Sequence, residues 1–398
     1  MFSCHFCAIY SGKVCCFNNF KQESDMVKVG DNIKAISPYK PGKPISEVER
    51  ELGLTSAIKL ASNENPTGIS PKVREALINA LSELNYYPDG NAYYLKNAIV
   101  EYHKKKGEEI KFEEVFVGNG SNEVIDIAIR TLIKGDEEVV LSEQGFVAYE
   151  LILKAADIKM KLVPQTKEHV VDIDGLIAAV TPKTKMICLI NPNNPTGTYY
   201  PKAQFEKLLK AVPQEVILVV DEAYFDFADA PDYPNGFDYR NMHPNMIICR
   251  TLSKAFGLSG IRLGYAISTP EIVDYMNRVR EPFNTNSLAQ VAGIAALQDM
   301  EYLKNAVKIN REGRDYLYKE FKRLGVEYLP TQGNFMLFKV GEEATLGRDC
   351  YDYLLHKGVI VRPVANYGFP NWLRLSIGLK EQNETFIKYF EEFLKTIR

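Results

Sequence analysis

The chain has 398 residues, of which 46% are apolar and 25% charged, and carries a net charge of −3. That length exceeds what one hydrophobic core usually organises, so two domains are expected. The charge balance leaves no basic footprint for nucleic acid, and no apolar run reaches the roughly 20 residues a membrane helix requires.

Residues 1–25 differ from the rest. Cys4, Cys7, Cys15 and Cys16 place four of the seven cysteines there. Cys4-x-x-Cys7 is half of a zinc motif, but the second pair is adjacent and no further Cys or His pair follows at ligand spacing. The start lacks Lys or Arg, and Ser11-Gly12-Lys13 interrupts the apolar stretch, which argues against a signal peptide. The segment reads as a disordered or non-native extension, with Met26 as a natural start. Cys188, Cys249 and Cys350 sit in apolar, strand-like runs and read as buried small hydrophobes in a reducing cytosol.

From Glu114 to Thr269 short apolar runs alternate with longer amphipathic ones. Strands are expected at Val115–Val117, Glu138–Leu141, Met160–Val163, Met186–Ile190, Val216–Val220, Met246–Arg250 and Gly264–Ile267. Helices are expected between them at Ser121–Ile133, Ala148–Ala155, Ile173–Ala179, Lys202–Ala211 and Pro270–Val279. This rhythm predicts a mostly parallel sheet covered by helices on both faces. Long helices over Leu288–Leu324 and short strands near Phe335–Val340 and Leu373–Ile377 follow. The expected division is an extension (1–25), an arm with part of a small domain (26–70), a large domain (71–284) and the rest of the small α/β domain (285–398).

Ligands in such sheets lie beyond the carboxyl ends of the strands. Four polar motifs follow predicted strands there: Gly118–Asn122, Asn191–Gly197, Asp221–Tyr224 and Thr251–Lys254. Lys254, flanked by small and hydroxyl residues, is a candidate amine for imine formation with an aldehyde and for moving a proton. A lysine at a helix start is by itself a solvated side chain; the three companion motifs reverse that reading. Asp221 ends a strand buried on both faces, where an unpaired charge is costly, so it requires a partner such as a protonated ring nitrogen. A carboxylate capping the next turn is the structural alternative. Glu222 is its rival, but alternation turns it to the other face.

Asn194 and Tyr224 are placed to hydrogen-bond a phenolic oxygen. Gly120, Ser121 and Asn122 open a helix whose amides suit a phosphate, and Ser253 and Arg262 add further contacts. Phe146 follows a strand and is placed to stack on a ring. Arg374, on the alternating Trp372–Ser376 strand, reads as an anion-binding arginine or as the partner of an acidic neighbour. Anchor, acid and phosphate cradle together describe a pyridoxal 5'-phosphate (PLP) site.

These residues resemble the fold-type I PLP aminotransferases, and among them the histidinol-phosphate aminotransferase branch. The likeness runs from Ile33 to the C-terminus through Ser37-Pro38-Tyr39, Leu60–Pro66, Tyr87-Pro88-Asp89, Asn191–Gly197, Asp221–Tyr224, Thr251–Phe256 and Leu373–Leu375. It implies a cytoplasmic homodimer with shared active sites, Tyr87 reaching the neighbouring subunit's cofactor phosphate. It further implies Tyr39 and Arg362 around the substrate's distal phosphate, Arg374 at the substrate anion, and Asn334 beside the substrate. The segment Glu143-Gln144-Gly145-Phe146 keeps the family's aromatic but not the residues before it, and residues 1–25 have no counterpart. The expected reaction is transamination between L-histidinol phosphate and 2-oxoglutarate, an amino donor and a 2-oxo acid using one pocket in turn. The rivals are an aromatic amino-acid transaminase of the same branch, a phospho-amino-acid decarboxylase and a non-catalytic PLP-binding regulator.

Overall fold

In the computed structural model, residues 27–38 and 42–397 are described. They fall into two compact units divided after Pro38. The first contributes a short helix, Asp31–Lys34; everything below concerns the second.

Its first strand, β1 (Ile58–Lys59), is only two residues long. Seven more build the principal sheet: β2 (Val115–Gly118), β3 (Glu138–Ser142), β4 (Lys159–Val163), β5 (Thr184–Ile190), β6 (Ile217–Asp221), β7 (Met246–Thr251) and β8 (Gly264–Ile267). Their order is β2-β8-β7-β6-β5-β3-β4. Only β8 runs against its neighbours; the other pairings, β3 with β4 and β5, and β6 with β5 and β7, are parallel.

Alternation along β6 explains why the central strands read as unbroken apolar runs. Leu218 and Val220 join the core on one face, while Ile217 and Val219 join the core on the other. β7 repeats this with Ile248 against Ile247 and Cys249. Helices cover both faces, as a parallel sheet demands. The expected helices Ile173–Ala179, Lys202–Ala211 and Pro270–Val279 occur with those bounds. The last starts with Pro270 at its first turn and the Thr269 hydroxyl accepting from the Ile272 amide.

Beyond residue 285 the helices Ser287–Leu297 and Met300–Leu324 precede β9 (Tyr328–Leu329), β10 (Phe335–Lys339), β11 (Val359–Ile360), β12 (Arg362–Val364) and β13 (Phe369–Ser376). The predicted helical stretch is broken because Asp299 caps the second helix, its side chain accepting from the Tyr302 amide. β12, β13, β10 and β9 form an antiparallel sheet with its own core of Leu317, Phe321, Phe338, Leu373 and Phe390. β1 pairs in parallel with β11, and the Ser376 amide donates to Leu60 O at 2.8 Å. Residues near 60 are thereby stitched to residues near 360 and 376.

Two expectations need correction. Cys350 lies in the helix Leu346–His356, not in a strand; its apolar neighbours there are spaced for one helical face. The sixth strand ends on Asp221 rather than before it, so the carboxylate is itself a sheet residue.

Candidate active site

The parallel strands β5, β6 and β7 end on one rim, and a cavity of about 260 Å³ opens there. Its floor is Asp221, 3% exposed. Strand alternation turns this side chain to the face that carries Tyr149, whose hydroxyl donates to Oδ2 at 3.1 Å. The Ala223 amide donates to Oδ1 at 3.1 Å. Burial pushes the carboxyl up to about 6, against the pull of those two donors. Glu222 points to the opposite face, where Arg250 and the Gly236 amide bind it.

Lys254 reaches the same cavity from the turn after β7. Its ammonium donates to Ser62 O at 3.5 Å and lies 5.6 Å from the centre of the Tyr224 ring. Desolvation, helped by the positive field of Arg374 and then Arg262, pushes this amine down to about 8, against the carboxylates of Glu64 and Asp221. A lysine so placed is uncharged far more often at neutral pH than a solvated one.

The Tyr224 hydroxyl accepts from Asn63 Nδ2 at 2.9 Å and from Asn194 Nδ2 at 3.3 Å, which leaves its own proton for another acceptor. Burial raises this phenol to about 12, with the Arg374 charge opposing. Asn194 Oδ1 in turn accepts from Arg374 Nη1 at 2.6 Å, and Arg374 Nη2 donates to Ala61 O at 2.8 Å. Arg362 and Arg374 are register partners on β12 and β13 and both line the cavity.

At the far end Ser121 and Asn122 open the helix Ser121–Leu132 beside Ser253 and Arg262. Arg262 Nη1 donates to Ser259 O at 3.1 Å and to Ser253 Oγ at 3.5 Å. Its backbone is left-handed, φ +63°, a strained setting for a residue with a side chain. Gly120 has φ +82°, and a Cβ there would sit 2.4 Å from Arg262 Nη2. A side chain there would be strained by the positive φ and would push the Arg262 guanidinium aside; the Gly120 amide itself already donates to Gly118 O at 2.8 Å. Phe146 caps the helix that carries Tyr149 and lines the cavity beside Ile190.

Lys254, Asp221, Tyr224, Asn194, Ser253, Arg262, Ser121, Asn122, Phe146, Arg374 and Arg362 are thus gathered around one space. Gly120 stands just behind it. Asn334 stands one layer out, buried, with its amide donating to Asn63 O at 3.0 Å and its Oδ1 without a hydrogen-bond partner among the described residues. Tyr87 is not in the cavity of its own chain. It is 82% exposed and stacks on Phe283 with ring centres 4.7 Å apart. Tyr39 lies outside the described residues, as do Cys4, Cys7, Cys15 and Cys16. Among the described residues no group of His, Cys, Asp or Glu is arranged to hold a metal.

Sequence reasoning missed Tyr149, one tyrosine among 23, and assigned no separate role to Ser62, Glu64, Ser259 or Tyr367, which also line the space. Asn63 was legible only as part of a motif.

Residues 55–390 match the family described as aminotransferase class I and II. The chain belongs to this family. The aminotransferase is 44% identical over 360 residues to "Histidinol-phosphate aminotransferase 1" of Idiomarina loihiensis, covering 90% of this chain and 96% of that protein. It is also 44% identical over 368 residues to the histidinol-phosphate aminotransferase of Moorella thermoacetica, covering 92% and 93%. Among solved structures, the Sinorhizobium meliloti histidinol-phosphate aminotransferase in complex with pyridoxal-5'-phosphate superposes with a TM-score of 0.84 at 25% identity, over 95% of this chain and all of that one. The fold is that of the fold-type I aminotransferases, and the aminotransferase uses PLP.

Proposed function

We propose that this aminotransferase exchanges an amino group between L-histidinol phosphate and 2-oxoglutarate, giving imidazole acetol phosphate and L-glutamate. The observation that carries the reading is the pair Arg362 and Arg374, opposed across β12 and β13 over a cavity that also holds Lys254. Both guanidinium groups offer donors in the fork geometry that suits a phosphate or carboxylate in the pocket. Relatives 41–44% identical over at least 90% of the chain bear that enzyme's name.

The residues fit PLP. A buried carboxylate at one end suits a protonated ring nitrogen, and a helix start with Ser253 and Arg262 at the other suits a phosphate. At Gly120 a Cβ would displace the Arg262 guanidinium from the cradle. When bound, PLP supplies an aldehyde and an electron-withdrawing ring.

Lys254 would hold that aldehyde, and its amine is the group that would take and return the proton at the substrate Cα. Asp221 would hold the ring nitrogen and favour its protonated form, its own charge favoured by Tyr149 and the Ala223 amide. Tyr224 and Asn194 would hold the phenolic oxygen and Phe146 the ring. Gly120, Ser121, Asn122, Ser253 and Arg262 would hold the phosphate. Arg374 holds the substrate's anionic group and Arg362, with Tyr39, its distal phosphate; Asn334 supports the substrate wall through Asn63.

We further read the protein as a cytoplasmic homodimer in which Tyr87 completes the neighbouring site. Support comes from a run of exposed apolar side chains, Ile78, Leu81, Leu84, Tyr86, Tyr87 and Tyr94, larger than solitary surface residues require. Cys188, Cys249 and Cys350 are free and buried, and no described helix is long and apolar enough to cross a membrane.

The test is a half-reaction. Cofactor-loaded protein is mixed separately with histidinol phosphate, phenylalanine and glutamate while its visible spectrum is followed. Conversion is expected to be fast with histidinol phosphate and much slower with phenylalanine. Equal or faster conversion by phenylalanine assigns the protein to aromatic amino acids, and silence with all three discards transamination of these donors.

A further inference from the structure

Behind the cavity, on the other face of the sheet, lies a buried charged cluster that the reaction does not touch. Arg250 on β7 is 5% exposed and Glu222, just after β6, is 2% exposed. Glu222 Oε2 accepts from Arg250 Nε at 3.0 Å and stands 2.9 Å from Nη2. Glu222 Oε1 accepts from the Gly236 amide at 2.6 Å, and the Glu222 amide donates to Cys249 O at 2.9 Å. The Arg250 guanidinium also lies 4.0 Å from the centre of the Phe225 ring. One side chain therefore grips Glu222 and Phe225, the residues on either side of Ala223-Tyr224.

The grip is itself anchored. Arg250 Nη2 donates to Asn235 Oδ1 at 2.8 Å, and Asn235 Nδ2 donates to Glu108 Oε1 at 2.8 Å. Glu108 Oε2 meets His103 Nδ1 at 2.6 Å, and His103 Nε2 meets the Tyr265 hydroxyl on β8 at 3.0 Å. An apolar filling of equal volume would serve stability as well as or better than such a buried ion pair. What the pair adds is direction: it fixes the end of β6, with Asp221 and the turn bearing Tyr224, against the turn bearing Lys254, which begins two residues after Arg250.

We propose that Arg250, acting through Glu222 and Phe225, is a positioning residue that sets Asp221 and Tyr224 relative to Lys254 and so holds the cofactor in register. This rests on the site assignment given above. A small misplacement of catalytic groups costs orders of magnitude in rate, whereas replacing a whole buried ion pair by well-packed neutral groups is often neutral for stability.

The test separates the two roles. Arg250→Met alone strands the Glu222 charge and is expected to destabilise the chain. Because Arg250 Nη1 also lies 3.6 Å from the Glu108 carboxylate, the triple variant Arg250→Met/Glu222→Gln/Glu108→Gln removes all three charges together, and its Tm is expected to stay near that of the parent. Its cofactor release on dilution should still be at least about tenfold faster, and its kcat at least about tenfold lower. Ile248→Ala, a core truncation on the same strand face, serves as the stability control and is expected to lower Tm without a comparable change in release. The inference is overturned if the triple variant retains cofactor like the parent, or if Ile248→Ala releases it equally fast. Asp221→Asn is measured alongside. If that variant also retains cofactor and turns over normally, the site assignment itself has failed, and the inference with it.

Discussion

Arg362 and Arg374 face each other as register partners on two antiparallel strands, and Arg374 is additionally tied to Asn194 at 2.6 Å. The two arginines therefore differ in what they organise. Arg374→Gln should weaken every anionic substrate and disturb Asn194, lowering kcat/KM by about 2–5 kcal/mol, or roughly thirtyfold or more. Arg362→Gln should penalise the phosphate-bearing donor and leave the glutamate half-reaction close to the parent's. Steady-state rates with both donors decide; equal losses on both substrates refute the division of labour.

Lys254→Ala should fold normally, since the side chain makes one long hydrogen bond of 3.5 Å. It should lose the cofactor's visible absorbance band and its transaminase rate together. Retention of the parent's rate in a clean preparation would sink the proton-transfer role.

Asp221 gives a stability prediction with a definite sign. Its carboxyl is raised from 3.8 to about 6 in the fold, chiefly by burial. The stability it contributes to the cofactor-free protein is therefore fully present below about pH 4 and is lost as pH rises through 6. Above that window the buried charge costs about 3 kcal/mol, two units at about 1.4 kcal/mol each. Asp221→Asn should raise the Tm of the cofactor-free protein at pH 7.5 and flatten its dependence between about pH 4 and 6. The same change should cut turnover by about a hundredfold or more. Thermal unfolding against pH measures the first effect, and a Tm that falls at pH 7.5 contradicts it.

Tyr149→Phe removes one donor from the Asp221 carboxylate and leaves the Ala223 amide. About 1 kcal/mol is at stake, so cofactor affinity should weaken about fivefold, read by titrating the cofactor into stripped protein. The Tyr149 ring is fully buried, so Phe keeps the packing and isolates the hydroxyl.

The alternating part of the chain was readable because its strands are covered on both sides. β6, for example, is an uninterrupted apolar run whose end delivers Asp221 to the rim. β1 and β11 had no such signal: two residues each, stabilised by a partner remote in sequence. Tyr149 was invisible because a buried hydroxyl aimed at a carboxylate looks, in sequence, like any apolar helix position. The Arg250–Glu222 contact was equally hidden, since it depends on two neighbouring strands ending in register. Tyr87 was singled out only by family likeness, and in its own chain it touches Phe283 instead of the cavity.

The Asn63 amide bonds Ser376 Oγ at 2.8 Å across 313 positions of sequence, which has a consequence for the order of synthesis. Chains emerge from the amino end and their parts fold as units while the rest is still being made. β6 and β7, with Asp221 and Lys254, leave the ribosome well before β12 and β13 bring Arg362 and Arg374. Residues 58–63 wait throughout for their partners on β11 and β13. The nascent chain thus acquires the residues proposed for the chemistry first and those proposed for choosing a substrate last.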